Sequence, residues 1–385
     1  MNLGRLPFDA NLEQYRTQAA ALLAAYAAGD DDAARWFLRN HPRFRDAKIR
    51  WLVREVPQDE VRAAAFELPD AQLALARWYD FRDWPTLAEW VEAVSREDSP
   101  VHRFEAAVEA VIHGHLTSLE AALRTNPELV HARSTRVTPF DPPVHRATLL
   151  HYVAANGVEG YRQKTPANAV DVAKTLLRAG ADPNALADMY GGQCSVMSML
   201  ISSSHPAQAG VQVALVETLL DFGASPEALG SGAWTSPLFT ALAFGFLESA
   251  EALVRRGARV DNVAVAAGLG RLEDVRRMLP SADAEARQRA LALASQLGHA
   301  EVVNLLLDAG EDPNRYNPKG NHAHSTPLHQ AALAGHSAIV RLLVERGARL
   351  DTQDTIFHGT PLGWALHGGQ TEIAEYLENA GRLNQ

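Results

Sequence analysis

Thr326-Pro327-Leu328-His329-Gln330-Ala331-Ala332-Leu333-Ala334-Gly335-His336 is the stretch whose reading decides the fold. A threonine caps a helix by accepting from a free backbone N–H. A proline suits the first helical position, where no N–H partner is needed. Leu328, Ala331, Ala332 and Leu333 then form a narrow apolar stripe whose small residues let a neighbouring helix approach closely. Gly335 ends that helix. Ile339-Val340 and Leu342-Leu343 mark a second one, and Gly347 sits where a helix C-terminus favours positive φ. Thr360-Pro361-Leu362 reopens the pattern 34 residues after Thr326.

The second-helix ending Leu-Leu-x-x-Gly recurs at Gly180, Gly223, Gly257, Gly310, Gly347 and Gly381, with successive spacings of 43, 34, 53, 37 and 34 residues. The spacing of 53 predicts two compressed units, one around Val265–Val275 and one beginning near Ala290. Upstream, Thr148-Leu149-Leu150-His151 is a further opening, and Ala106–Ala132 is a weaker unit turning at Gly114. A pair of short helices cannot bury its own apolar face, so stacked neighbours must supply the missing surface.

The Thr-Pro-Leu-His opening at this period resembles the ankyrin repeat. The resemblance covers about residues 101–385, as about eight repeats with two compressed near 262–314. It implies an all-α solenoid of helix-turn-helix units with hairpin-like finger loops. It also implies a concave surface, formed by fingers and first helices, that binds a protein or peptide partner. His329 and His151 would make the family's structural hydrogen bond between adjacent turns. The elaborated fingers are similar to those of a bacterial ankyrin-repeat group, and the Ala- and Arg-rich, Lys-poor usage fits a bacterial source.

Residues 1–100 lack the repeat. Leu12–Ala28 and Asp30–Arg39 read as a helix pair about Gly29, and Asp70–Tyr79 and Pro85–Val94 as a second pair. Trp36, Trp51, Trp78, Trp84 and Trp90, five of the seven tryptophans, fall here with spacing that suits a helical core. This region is expected to be a helical cap that shields the first repeat, because the ends of a solenoid must be atypical.

The bulk properties restrict the function. A hydrophobic content of 47% over 385 residues supports a real core. The net charge of −10 disfavours a general nucleic-acid or anionic-membrane binder, which needs a basic face. The single Cys194 excludes an internal disulfide framework and fits a reducing compartment; on an apolar helix face it is expected to be a small core residue. The first nine residues lack a signal-peptide core, and no run of about 18 apolar residues appears. A cytoplasmic protein is the expectation.

Five segments depart from the repeat: 133–147, 158–166, 187–193, 202–210 and 315–325, the last facing a finger at 351–359 with Phe357 and His358. The first four belong to adjacent repeats and are read as converging on one patch. Arg136, Arg146, Arg162 and Lys164 concentrate positive charge in an acidic chain. They are read either as a carboxylate or phosphate site or as a solvated face paired with Asp141 and Glu159. His322-x-His324 puts two imidazoles on one face of a finger, with His145, His205 or His358 as remote partners. Without a Cys cluster or a clear third ligand, no metal is expected. Tyr190-Gly191-Gly192 is a finger turn, too short to cradle phosphate. Ser202-Ser203-Ser204-His205 lacks the strand and elbow a serine nucleophile requires.

Two functions are therefore weighed. The leading one is a non-catalytic binding protein, anchored by Tyr161, Tyr190, Trp234, Tyr316 and Trp364, since aromatics and arginine concentrate at hot spots. The other is a small-molecule or enzymatic site in loops 133–165 and 187–210, helped by finger 315–325. There His145, Glu159, Tyr161, Arg162, Lys164, Tyr190 and His205 would supply acid, base and anion-binding groups. No cofactor is expected.

Overall fold

Helix caps and glycine turns divide the chain into paired helices. The computed structural model describes residues 3–46, 52–155, 158–231 and 236–383. It groups them in two units, Met1–Ala224 with Leu229–Gly232, and Ser225–Ala228 with Ala233–Gln385. Among the described residues no helix is long and apolar enough to cross a membrane.

The C-terminal unit stacks helix pairs. These are Pro237–Ala243 with Leu247–Arg255, Val263–Gly268 with Leu272–Met278, Ala284–Leu297 with Ala300–Asp308, Pro327–Ala334 with Ser337–Glu345, and Pro361–His367 with Thr371–Leu383. Successive first helices pack on one another through Ala266, Ala267, Ala290, Ala294, Ala331, Ala332 and Ala365, all fully buried. With no side chain beyond Cβ, these residues permit the close approach. Second-helix residues such as Val303, Leu306, Val340 and Leu343 fill the rest of the core. The helix expected near Ala290 starts earlier, at Ala284, because Asp283 Oδ1 accepts from the Ala286 N–H at 2.7 Å.

Neighbouring pairs are stitched at two levels. At the inter-helix turn, Gly298 has φ 89°, and a Cβ there would lie 2.8 Å from the His336 ring. Its absence lets His336 Nε2 reach the Gln296 carbonyl at 2.9 Å. At the far end of the second helix, Asn314 Nδ2 donates to the Gly347 carbonyl at 3.0 Å, and its Oδ1 accepts from the Arg349 N–H at 2.8 Å. The same Asp-Pro-Asn sequence in the N-terminal unit lets Asn184 Nδ2 donate to the Gly223 carbonyl at 2.9 Å.

The N-terminal unit opens with the helices Leu12–Ala27, Asp31–Asn40, Gln58–Ala63, Leu68–Trp78 and Trp84–Val94. Tyr15, Leu22, Phe37, Phe44, Leu75, Phe81, Leu87 and Trp90 form their shared core. The pairs Pro100–His113 with Leu116–Thr125 and Leu149–Val153 with Ala169–Arg178 follow, then Val196–Ser202, Ser204–Gln208 and Gln212–Asp221.

Here the structure corrects the reading of 187–195. Leu186–Met189 and Gly192–Ser195 are antiparallel strands, so Cys194 lies on a strand opposite Ala187 and not on a helix, though it is buried. The turn between them has φ 54° at Tyr190 and 74° at Gly191, the two positive values that a tight hairpin requires.

Candidate functional site

The loops that break the repeat build a buried polar cluster in the N-terminal unit. Its centre is Glu159, on the segment between the helices Leu149–Val153 and Ala169–Arg178. The Ala147 N–H donates to His145 Nδ1 at 3.2 Å, so the His145 proton sits on Nε2, which donates to Glu159 Oε1 at 2.7 Å. The Tyr152 hydroxyl donates to the same oxygen at 2.7 Å. Arg162 Nη1 donates to Glu159 Oε2 at 3.2 Å and pairs with Glu105 Oε2 at 2.6 Å. Arg136 Nε faces Glu159 Oε2 at 3.5 Å, and its Nη2 donates to the Tyr79 carbonyl at 2.8 Å.

Arg136, Arg162, Glu105 and Glu159 are all buried, so two positive and two negative charges balance. Burial alone would raise the Glu159 pKa. The guanidinium groups of Arg136 and Arg162 and the His145 hydrogen bond outweigh it and hold the carboxyl below the usual range. Arg136 also stacks on Phe81 at 4.0 Å and Trp90 at 4.7 Å, which come from the N-terminal helices. The cluster thus fastens those helices to the segments at 133–147 and 158–164. Buried and mutually paired, these groups have the character of a structural clamp.

The Thr-Pro-Leu-His histidines are likewise engaged. His329 Nδ1 accepts from Thr326 N–H at 3.3 Å and from its hydroxyl at 2.8 Å, leaving Nε2 to donate to the Gly359 carbonyl at 3.1 Å. His151 repeats this with Thr148 and reaches the Cys194 carbonyl at 3.4 Å. Each imidazole bridges its own helix start to the next finger, and burial pushes both pKa values down, keeping the rings neutral.

Comparison with known proteins agrees with this geometry. The description "Ankyrin repeats (3 copies)" matches residues 262–354 and 291–385, and "Ankyrin repeat" matches 145–188. Human cyclin-dependent kinase inhibitor 2A is 34% identical over 125 residues, which are 31% of this chain and 77% of that protein. The chain belongs to the ankyrin-repeat family. Mouse ankyrin repeat and SAM domain-containing protein 6 is 37% identical over 110 residues, 29% of this chain but 12% of its own length. The Caenorhabditis elegans ankyrin repeat and KH domain-containing protein mask-1 is 30% identical over 298 residues, 74% of this chain and 10% of its own. Ankyrin repeats generally mediate protein–protein interaction.

In the ankyrin array of the C-terminal unit, two fingers make a second feature. Finger 315–325 does not project freely. His322 Nε2 donates to the Ala243 carbonyl at 3.0 Å, and Arg289 Nη1 donates to the Lys319 carbonyl at 2.8 Å, so it lies back on earlier first helices. It bonds to finger 351–359 through Thr355 N–H to the His324 carbonyl at 2.9 Å and the Tyr316 hydroxyl to the Gln353 carbonyl at 2.6 Å. The buried Asp354 carboxylate accepts from the N–H groups of Ile356, Phe357 and Gly359 at 2.9, 2.7 and 2.8 Å and from Trp364 Nε1 at 3.0 Å. Burial would raise its pKa, but these donors hold it below the ordinary value. The turn they fix leaves Phe357 57% exposed and Tyr316 41% exposed.

The predicted site residues therefore separate. Arg136, His145, Glu159 and Arg162 come together, but in the interior: neither a solvated face nor an open anion site describes them, and Tyr161 beside them is half-buried. The proposed arginine cluster is split, since Arg146 is exposed and Lys164 is exposed beside His113, with Nζ 3.0 Å from His113 Nε2. Asp141 is exposed and forms no ion pair among the described residues. Segment 187–193 does join 133–147, through the Asp188 N–H to the His145 carbonyl at 2.8 Å. Segment 202–210 instead forms the helix Ser204–Gln208, tied locally by Gln212 Nε2 to the Leu200 and Ser203 carbonyls, and His205 sits there apart from the cluster's bonds. Tyr190 is exposed at its hairpin tip, while His322 is spent on Ala243. His324 packs against Trp364 at 5.6 Å, and Trp364 braces the finger and is not a free anchor. His358 is exposed with φ 55°, and Trp234 lies outside the described residues.

Sequence reasoning missed Glu105, Tyr152, Asp354 and the part that Phe81 and Trp90 play in stacking on Arg136. Glu105 had a signal: it interrupts the apolar face Phe104, Ala107, Val108 and Val111 of one helix.

Proposed function

We propose that this protein is a non-catalytic binding module that holds a protein or peptide partner on the finger face of its C-terminal ankyrin unit. The observation that carries the reading is the exposure of Phe357 and Tyr316 on two fingers bonded to each other and anchored by Asp354. Large apolar side chains on a rigid support lose little entropy on binding, which is the usual character of a hot spot. An apolar groove of about 490 Å³ lined by Phe244, Leu297 and Leu333, with His322 at its edge, extends the surface over the first helices. In this reading residues 1–100 cap the first repeat, and the buried Arg-Glu clamp holds the cap in place.

The test is affinity capture of a partner from a lysate, followed by titration of the purified partner. Phe357→Ala and Tyr316→Ala are each expected to weaken binding by about 2 kcal/mol. Glu273→Ala, on an exposed second helix, should have no effect. Unchanged affinity in both finger variants would remove this face from the function.

A further inference from the structure

A cleft of about 580 Å³ lies in the N-terminal unit beside the buried clamp. Tyr161 and Phe8, both half-buried, line it, backed by the buried rings of Tyr15, Tyr79 and Trp90. Pockets of this size with mostly apolar walls and a few placed polar groups are the usual form of a small-molecule site. Tyr15 meets Tyr79 edge-on at 5.1 Å, and Tyr79 meets Tyr161 at 5.9 Å, so the wall is a continuous run of ring faces and edges.

Two cations line the same cleft. The Arg5 guanidinium lies over Trp78 at 3.9 Å, Tyr161 at 4.5 Å and Tyr79 at 4.9 Å. Stacking fixes its plane and leaves the N–H edge for acceptors; among the described residues only the Trp78 carbonyl engages that edge, through Nη1. Lys164 Nζ donates to His113 Nε2 at 3.0 Å. Among the described residues no carboxylate lies within ion-pair distance of Arg5 or Lys164. Glu109, the acid on the cleft wall, has Oε1 3.5 Å from Arg162 Nη2 and Oε2 3.4 Å from His113 Nδ1, so both its oxygens are engaged within the wall. Trp90 Nε1 is buried without an acceptor among the described residues, an unmet donor in a wall residue.

We propose that this cleft binds a small organic anion with a flat aromatic body, its acid group held by Arg5 and Lys164 and its ring against the half-buried Tyr161 and Phe8. The aromatic surface supplies burial, and the two cations, neither held in a contact ion pair although Asp80 attracts Arg5 from behind the wall, supply orientation and charge selection. The site is independent of the finger face, and it lies outside the loops 187–210.

The test compares two probes with one ring system and opposite charge, 1-naphthoate and 1-naphthylmethylamine, titrated into the full-length protein by ligand-observed NMR. Naphthoate is expected to bind at least tenfold more tightly than the amine. Lys164→Met should weaken naphthoate at least fivefold and leave the amine unchanged or tighter. Arg5→Met should do the same, and because Arg5 also braces the N-terminal segment, the exposed Lys164 variant, verified by an unchanged melting temperature, carries the decision. Equal affinity for the two probes, no saturation by naphthoate at millimolar concentration, or an unaltered naphthoate affinity in Lys164→Met would each overturn the proposal.

Discussion

Replacing Glu159 by glutamine changes almost no volume and removes one charge from a fully buried set. With Arg136 and Arg162 positive and Glu105 and Glu159 negative, the native interior is neutral. In Glu159→Gln the amide oxygen can still accept from His145 Nε2 and the Tyr152 hydroxyl, now at 2.7 Å each. The amide nitrogen, however, replaces an acceptor facing Arg162 Nη1 at 3.2 Å with a donor. One guanidinium charge is left without compensation. Breaking a buried pair in this way costs about 3–5 kcal/mol, and the two surviving hydrogen bonds favour the lower end. With a urea m-value of about 3 kcal/mol/M, the unfolding midpoint should fall by about 1 M. Tryptophan fluorescence reads this unit, since Trp36, Trp78, Trp84 and Trp90 lie in it. Adding Arg136→Met to Glu159→Gln restores neutrality around Arg162 and Glu105. The double variant should therefore be no less stable than Glu159→Gln alone, a coupling of about 1–3 kcal/mol. A loss below about 1 kcal/mol in the single variant, or strictly additive effects, would refute the clamp.

Three further outcomes follow from the same geometry. Asp354→Ala strips four N–H donors of their acceptor; it should destabilise the finger by about 2 kcal/mol and abolish hydrogen-exchange protection at Ile356, Phe357 and Gly359, and intact protection would contradict its role. Burial pushes His151 down to about 3, so the unfolded chain takes up this proton first. Stability is then complete above the unfolded value of about 6.5 and is lost as pH falls from there toward 3, at up to about 1.4 kcal/mol per pH unit. His151→Asn should flatten that part of a melting-temperature profile. Asp80 behaves oppositely: burial pushes it up to about 6, so the stability its protonation carries is present below the unfolded value of about 3.9 and lost as pH rises toward 6. Asp80→Asn keeps an acceptor for the Tyr161 N–H and tolerates the φ of 59°, so it should raise the melting temperature at pH 7 but not at pH 4. Its partial exposure and the lost attraction to Arg5 limit the gain to about 1 kcal/mol.

What the sequence disclosed, and what it withheld, follows from the range of the interactions involved. Thr326, Pro327, Gly335 and Gly347 act within a few residues of themselves, so their positions announce helix ends directly. The alanine stripe is legible for a related reason, because successive first helices of the C-terminal unit each present small residues to the next. The role of Arg136 is not local in this sense. Its partners are Glu159, the Tyr79 carbonyl and the Phe81 and Trp90 rings, brought together from three segments by the tertiary fold. In sequence its loop is charged and proline-rich, which normally signals solvent, and nothing local distinguishes a buried arginine from a solvated one. The counter-signal was Glu105 on an otherwise apolar helix face, since a lone carboxylate there requires a buried cation from elsewhere in the chain. Asp354 was hidden differently: its carboxylate organises backbone N–H groups, which have no sequence identity. Two of the departures from the repeat, 133–147 and 158–166, hold the buried cluster, but only the packing determines that Arg136 and Arg162 face inward while Lys164 stays at the surface.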